Sequence, residues 1–442
     1  MMSLQKEIPT VSTFRFLRNA AQILKNPLPF HQANFKRLGD TFRLKIGNKT
    51  SLLFSRDAGL TRYVLQKNQK NFYKSSIQTD DLAKYVGYGL LTTNGEHWRK
   101  QRKLIQPAFH KKHLVRLLET VQKAIVAEID KITVENPIDI FPILNDLAFQ
   151  TVVKALFSGA ANSDDINNLQ EITETAQKML VSELRQPYKA WWFKLTGKIE
   201  RNVAYAHQAR TILKQIVAER RDEGKRYGDL LDMLLEATYE DGGVMEEEQL
   251  IDEILILFIA GHETTSNALT FFCELMARNQ GVQEKLAKEV QENASLDLMS
   301  SIQQGTYANA VINEVMRLYP PVYFIDRVCL EDDVYNDIRI PAGANILMSV
   351  YEIHRSAAFW EDPLMFKPER FEDATVLSNG AYYPFGAGPR KCIGNNFAMF
   401  EMVLAVTELL KRFKIEAKGT PIEILPLITL KPKNAILHFK TR

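Results

Sequence analysis

Among the 442 residues, the cysteine at 392 has the surroundings that most suggest chemistry. It lies in Phe385-Gly-Ala-Gly-Pro-Arg-Lys-Cys-Ile-Gly394, a glycine-rich loop just ahead of an amphipathic stretch, Asn396 to Phe413. Glycine permits positive φ and lets backbone approach a bulky group. A cysteine ahead of a helix is biased towards thiolate by the exposed N–H groups and the helix dipole. A thiolate held this way is a donor for a soft metal. A second cluster, Ala260-Gly-His-Glu-Thr-Thr265, sits inside a long apolar stretch, where polar groups are costly without partners. Ala260 and Thr264 are four apart and share a helix face. The small residue leaves room for a diatomic ligand, and the Thr264 hydroxyl can take over the Ala260 carbonyl and loosen the helix. Glu314 and Arg317, at i,i+3, share a face of a helix that Pro320-Pro321 stops. Trp98 and Arg102, at i,i+4, offer an indole N–H and a guanidinium to a carboxylate. Taken singly, each has a plain alternative: a cysteine in a turn, a polar bend in a core helix, a solvated pair.

Together they are more specific. Phe-x-x-Gly-x-Arg-x-Cys-x-Gly fixes five positions, and a chance match in this length is on the order of 10⁻⁴. The segment resembles the heme-binding loop of the cytochrome P450 family, the heme-thiolate monooxygenases, in its soluble bacterial form. The resemblance implies that Cys392 is the axial iron ligand and that Phe385 shields the sulfur. It implies that Gly388 and Gly394 admit the macrocycle and that Arg390 pairs with a propionate. The central cluster is similar to the family's Ala-Gly-x-Glu-Thr-Thr, which makes Glu263 and Thr264 the proton-delivery pair and puts Ala260 against the cofactor. His262 takes the variable position and no catalytic role. Trp98, Arg102, Arg327 and His354 resemble propionate neighbours. Arg370, in Phe-Lys-Pro-Glu-Arg-Phe, would join Glu314 and Arg317 in a buried structural triad. The family's substrate positions fall on Tyr85, Val86, Tyr88, Leu257, Ala260, Val322, Tyr323, Phe324, Leu427 and Ile428.

The implied cofactor is heme b, iron protoporphyrin IX. A thiolate-ligated heme favours cleavage of the O–O bond of O2. The outcome is one oxygen atom inserted into a C–H bond of a small molecule. That gives an alcohol or, beside an ether oxygen, an oxidative O-dealkylation such as demethylation of a methylated sugar. A fatty or terpenoid chain suits the apolar, aromatic positions equally. Three cysteines cannot hold a four-cysteine iron–sulfur cluster, and no Gly-x-Gly-x-x-Gly site is present. Electrons from NAD(P)H are therefore expected through a ferredoxin or flavodoxin and its reductase. Arg99 to Lys103, Lys111, Lys112, Lys391, Lys411 and Arg412 offer a basic docking face. Two alternatives stay open: a partner-independent peroxygenase or rearrangement enzyme, and a non-catalytic heme sensor.

The elements that must position these residues are mostly helical. Apolar residues recur at helical spacing in Leu114–Ile132, and similar stretches run through about 140–157, 166–184, 199–221, 230–238, 247–276, 282–293, 307–318 and 396–413. The stretch 247–276 is nearly apolar all round in its middle, which marks an interior helix. A hairpin is expected around Phe42 to Phe54 with a Gly47-Asn48 turn, and short strands near 337–340, 345–350 and 422–439. The fold class is mainly α: a P450 fold, one large helical domain around a buried heme with a small β-rich part. It is read as one domain over 1–442, with β parts at about 29–70 and 320–380 and helical parts at 71–319 and 385–442. A net charge of +3 argues against a nucleic-acid binder. No stretch reaches the ~20 apolar residues of a membrane span. A cytoplasmic, membrane-free monomer is the expectation.

Overall fold

Alternation along Thr41–Ile46 turns Phe42 and Leu44 inward and Arg43 and Lys45 away, as a half-buried strand requires. It pairs antiparallel with Thr50–Ser55, and the rings of the facing residues Phe42 and Phe54 stack with centroids 5.2 Å apart. The computed structural model describes residues 7–46, 50–158 and 163–442, so the Gly47-Asn48 turn lies outside the described residues. The two strands belong to a six-stranded sheet with order Thr10–Val11, Thr41–Ile46, Thr50–Ser55, Asn345–Ser349, Phe324–Cys329, Phe72–Tyr73. Two small hairpins, Asp333–Tyr335 with Ile338–Ile340 and Glu423–Pro426 with Leu430–Lys433, complete this β content.

These strands belong to one of two compact units: Met1–Ser75, Ala310–Cys392 and Glu423–Lys433. The other holds Ser76–Asn309, Ile393–Ile422 and Asn434–Arg442. The β-rich unit takes the cysteine loop and the hairpin Glu423–Lys433, while the strand Ile436–Thr441 stays with the helical one.

The helical unit is organised by Glu247–Arg278, 32 residues long and buried through most of its length. Phe258 of this helix packs against Phe149 and Phe157 of the helix Phe141–Phe157. The helices Leu118–Ile129 and Asn395–Arg412 add further apolar faces. Arg220 is buried with Asp229, Asp232 and the Phe157 carbonyl as partners, which satisfies a charge that would otherwise be costly. The expected helix over 114–132 is shorter than its pattern. A 3-10 turn, Val115–Leu117, precedes it, and it ends at Ile129. No described helix is long and apolar enough to cross a membrane.

Candidate functional site

In the β-rich unit the Cys392 loop folds back on itself. The Cys392 N–H donates to the Phe385 carbonyl at 2.9 Å, closing the turn around Gly388–Arg390. Gly388 has φ +70°, and a Cβ there would fall onto the Leu65 carbonyl oxygen, so glycine is required by both conformation and contact. Gly394 has an ordinary φ of −84° with open space at its Cβ position, so the protein itself does not demand glycine there. The Cys392 side chain is exposed, whereas Cys273 and Cys329 are buried. Burial pushes the Cys273 thiol far above its usual range and the Cys329 thiol up to about 11. Both are inert packing groups, and only Cys392 is presented to a ligand.

Two arginines converge beside this loop. Arg390 donates to the Phe72 carbonyl at 3.0 Å and to the Gln69 carbonyl at 3.3 Å. Arg327, on the strand Phe324–Cys329, donates to the Asp326 carbonyl at 2.7 Å and is almost wholly buried. Burial and then the nearby Arg390 charge lower its pKa to about 10, against the Asp326 carboxylate, which raises it. Asp326 also accepts from the Ser75 hydroxyl. The Arg390 charge is close enough to Arg327 to disfavour its protonated form, and such a paired approach of guanidiniums suits an anionic ligand.

Glu314 and Arg317 are both fully buried and bidentate, at 2.6 and 2.8 Å. Arg317 also donates to the carbonyls of His354, Pro363 and Met365. Arg370 approaches Glu314 at 3.4 Å, and the Lys367 N–H donates to it at 2.8 Å. The cluster ties the helix Thr306–Leu318 to the segment 354–370. His354 belongs to this scaffold rather than beside a propionate. It is fully buried; its Nδ1 is 3.2 Å from the Arg317 carbonyl and its Nε2 accepts the Tyr383 N–H at 2.8 Å. Both ring nitrogens are spent on backbone, and burial holds the imidazole neutral with a pKa of about 3.

In the helical unit the Thr264 hydroxyl donates to the Ala260 carbonyl at 2.7 Å. The helix runs on without a break there, so the exchange loosens it less than the sequence suggests. Ala260 is exposed and Glu263 and Thr264 half-buried, although turns on either side are buried. Trp98 and Arg102 occur on Gly95–Ile105, with Trp98 buried and Arg102 Nε donating to Gln106 at 3.0 Å.

A family model described as Cytochrome P450 matches residues 9–439. The chain belongs to the cytochrome P450 family. Its fold, mainly α with a small β portion, is the P450 fold, and the protein is a heme-thiolate monooxygenase that uses O2. Curated relatives include Cytochrome P450 4ae1 of Drosophila melanogaster, 30% identical over 80% of this chain and 76% of its own. Cytokinin hydroxylase of Arabidopsis thaliana is 29% identical over 94% and 83%. Cyclooctatin synthase of Streptomyces melanosporofaciens is 29% identical over 93% and 91%. A solved structure, the retinoic acid-bound cyanobacterial CYP120A1, shares the fold with a TM-score of 0.83, 24% identity and 96% coverage of both chains. In the β-rich unit the residues present fit heme: an exposed thiol on a closed loop with two neighbouring guanidiniums.

Of the P450's expected substrate residues, Tyr85 and Val86 pack in an apolar cluster with Ala176, Met179, Leu180, Phe193, Ala206 and Ile256, flanked by Ile259. Sequence reading missed Ile256, although it stands one helical turn before Ala260. The Tyr85 hydroxyl is not free for a substrate; it donates to Glu183, which Lys84 also bonds at 2.6 Å. Leu257 is half-buried and Tyr88 exposed. In the β-rich unit Val322 and Ile428 are exposed and Leu427 is half-buried, its carbonyl accepting from the Tyr323 hydroxyl at 2.7 Å. The Phe324 ring packs edge-on against His31 and Phe54, so it serves the sheet's core.

The loop carrying Tyr88 is strapped to the start of the central helix. Asp252 accepts the Tyr88 N–H at 2.6 Å, Glu253 accepts the Leu90 N–H at 3.0 Å, and Gln249 donates to the Tyr88 carbonyl at 2.8 Å. A Cβ on Gly87 would strike the Asp252 carboxylate, and one on Gly89 would strike Glu253. Arg210 pairs with Asp252 and lies with it along an open cleft of about 470 Å³. The expected basic face is partly neutralised: Arg99 pairs with Glu96, Lys100 with Asp241, Lys103 with Glu240, and Arg412 with Asp130. Positive charge persists around Lys112 and Arg116, where it lowers the pKa of His113 behind the effect of burial.

Proposed function

We propose that this P450 inserts one oxygen atom into a C–H bond of a small organic substrate, either hydroxylating it or O-demethylating a methyl ether such as that of a methylated sugar. The observation that carries the dioxygen-dependent reading is the Thr264–Ala260 hydrogen bond at an exposed turn of a buried helix, with Glu263 beside it. Bound heme supplies activation of O2 for insertion into C–H. Cys392 is the residue that would hold the iron, through a thiolate closed in by the Phe385–Cys392 turn. Arg390, Arg327, Trp98 and Arg102 would hold the propionates; the paired approach of the guanidiniums supports this for the first two. Thr264 holds a hydroxyl proton at the Ala260 turn, and Glu263, the residue before it, is the acid of the proposed proton-delivery pair. Tyr85, Val86 and Ile256 exclude water and orient an apolar face of the substrate.

Electrons come from NAD(P)H through a ferredoxin or flavodoxin and its reductase in the cytoplasm, with the basic surface around Lys111, Lys112 and Arg116 as the docking side in the helical unit. The relatives' names span a cytokinin hydroxylase and a cyclooctatin synthase, so small organic substrates of varied shape fit the family reading.

The test has two arms. The Soret band of the reduced, carbonyl-bound protein should lie at the thiolate position and be lost in Cys392→Ser; an unchanged band would refute the ligand assignment. A screen of methyl ethers, sugars and terpenoids, read by the spin-state shift of the ferric heme, should find a binder that then consumes NAD(P)H only with a redox partner. Full turnover on hydrogen peroxide alone, unaided by any partner, would favour the peroxygenase alternative.

A further inference from the structure

Glu401, on the helix Asn395–Arg412, is 1% exposed. Its Oε1 accepts from the Thr151 hydroxyl of the helix Phe141–Phe157, and its carboxyl faces the Thr265 side chain of the central helix. Its Oε2 is buried with no hydrogen-bond partner. A carboxylate in that state would be strongly disfavoured, since no cation offsets its lost hydration. The Thr151 hydroxyl has a single proton to offer, with the Ala148 carbonyl 2.9 Å away as a competing acceptor, so it compensates a carboxylate only weakly.

Burial pushes the Glu401 pKa up to about 8, and no neighbouring charge contributes to the shift. The groups around it are few. His262 stands one turn before Thr265, its ring 5.4 Å from Phe149, with Glu263 on the adjoining face. From Phe141–Phe157 it is met by the Thr151 hydroxyl. Two turns along its own helix, Glu408 bonds Gln122 of Leu118–Ile129 at 3.1 Å and Arg412 at 3.5 Å.

We infer that Glu401, held as a neutral acid, is a positioning residue that pins the Thr264–Thr265 turn of the central helix to the two helices packed behind it. The Glu401 carboxyl faces Thr265 from the rear while Thr264 holds the Ala260 carbonyl in front. Ionising Glu401 places a bare charge at the junction, and the turn must shift to admit water. The clamp stands on Glu401's own contacts; only its bearing on oxygen chemistry rests on the relay reading of Thr264.

The experiment uses the full-length holoprotein and carbon monoxide as the probe. Difference infrared spectra of the wild type should show the carbonyl band of a protonated carboxylic acid that titrates near pH 8 and is absent in Glu401→Gln. The C–O stretch of carbon monoxide on the reduced heme should shift with the same midpoint in the wild type, the ionised form rising about tenfold relative to the neutral one per pH unit. In Glu401→Gln, which keeps a donor and the volume, the stretch should stay constant; in Glu401→Leu it should sit at the alkaline position at every pH. No titrating acid band, or a C–O stretch that moves with pH equally in wild type and the Gln variant, overturns the proposal. The Gln variant keeps the test decisive even where the Leu variant fails to fold. A C–O stretch untouched by Thr264→Ala would separately sink the relay reading.

Discussion

Replacing Arg317 by leucine attacks the best-buried charge in the β-rich unit. Arg317 spends its guanidinium on two bonds to Glu314 and on the carbonyls of His354, Pro363 and Met365. Breaking a buried ion pair from one side costs roughly 3–5 kcal/mol, because the surviving charge stays buried. Glu314 would keep only the Lys367 N–H and the 3.4 Å contact to Arg370, so little of that is recovered. Three carbonyls losing a donor add about 1 kcal/mol each. The sum, about 6–8 kcal/mol, rivals the whole stability of a typical domain, about 5–15 kcal/mol. Urea unfolding read by fluorescence should register it locally, since Trp360 lies 5.2 Å from the Arg317 guanidinium. The double variant Glu314→Leu/Arg317→Leu should be less destabilised than the two single costs added together, by about 3 kcal/mol, because no orphan charge remains. A single variant that costs under about 1 kcal/mol, or a strictly additive double, would refute the reasoning.

Gly388→Ala should cost about 1–3 kcal/mol for a non-glycine residue at φ +70° and lower heme content, checked by unfolding and by heme absorbance per chain. Alanine tolerated with full heme content would show that the Leu65 contact gives way. His354 and His31 are both held neutral by burial, with pKa values lowered from 6.5 to about 3. The unfolded chain binds those protons first, so stability falls as pH drops from 6.5 towards 3, by about 1.4 kcal/mol per pH unit for each group. Glu401 acts with the opposite sign: its folded pKa is raised from 4.5 to about 8, so stability falls as pH rises across that window. Melting curves of Glu401→Gln should lack this slope between pH 4.5 and about 8, and an unchanged slope would exclude it. Thr264→Ala should divert reducing equivalents to peroxide, measured as peroxide released per NAD(P)H consumed.

Motifs with fixed spacing were the most legible part of the chain. The cysteine loop, the Glu314–Arg317 pair and the long buried helix follow from local rules: a left-handed glycine, an i,i+3 pair, an apolar run with no polar face. The strand pattern was also local, as Phe42 and Leu44 alternate with Arg43 and Lys45. His354 was misread because its partners, the Arg317 carbonyl and the Tyr383 N–H, are backbone groups 37 and 29 residues away. Nothing in sequence identifies a residue that bonds main chain. The packing of Phe324 was hidden for a related reason: strand alternation gives a face, but only the packed sheet says that His31 and Phe54 meet it there. The acids opposing the basic run were likewise invisible. Asp241 and Glu240 are far along the chain from Lys100 and Lys103, and long-range ion pairs leave no local trace.

The strapped loop at Tyr88 has a consequence for rates. Its main chain is held by three side chains of the central helix, and its two glycines have no room to become anything else. Any ligand whose passage needs that segment to swing must break those bonds together and reform them after it. The cost falls on the opening step and not on the bound state. Changes to Asp252 or Arg210 should therefore alter how quickly ligands come and go, leaving their affinities nearly equal. The Tyr88 side chain, free of the strap, is where a change in preference between ligands is most easily made.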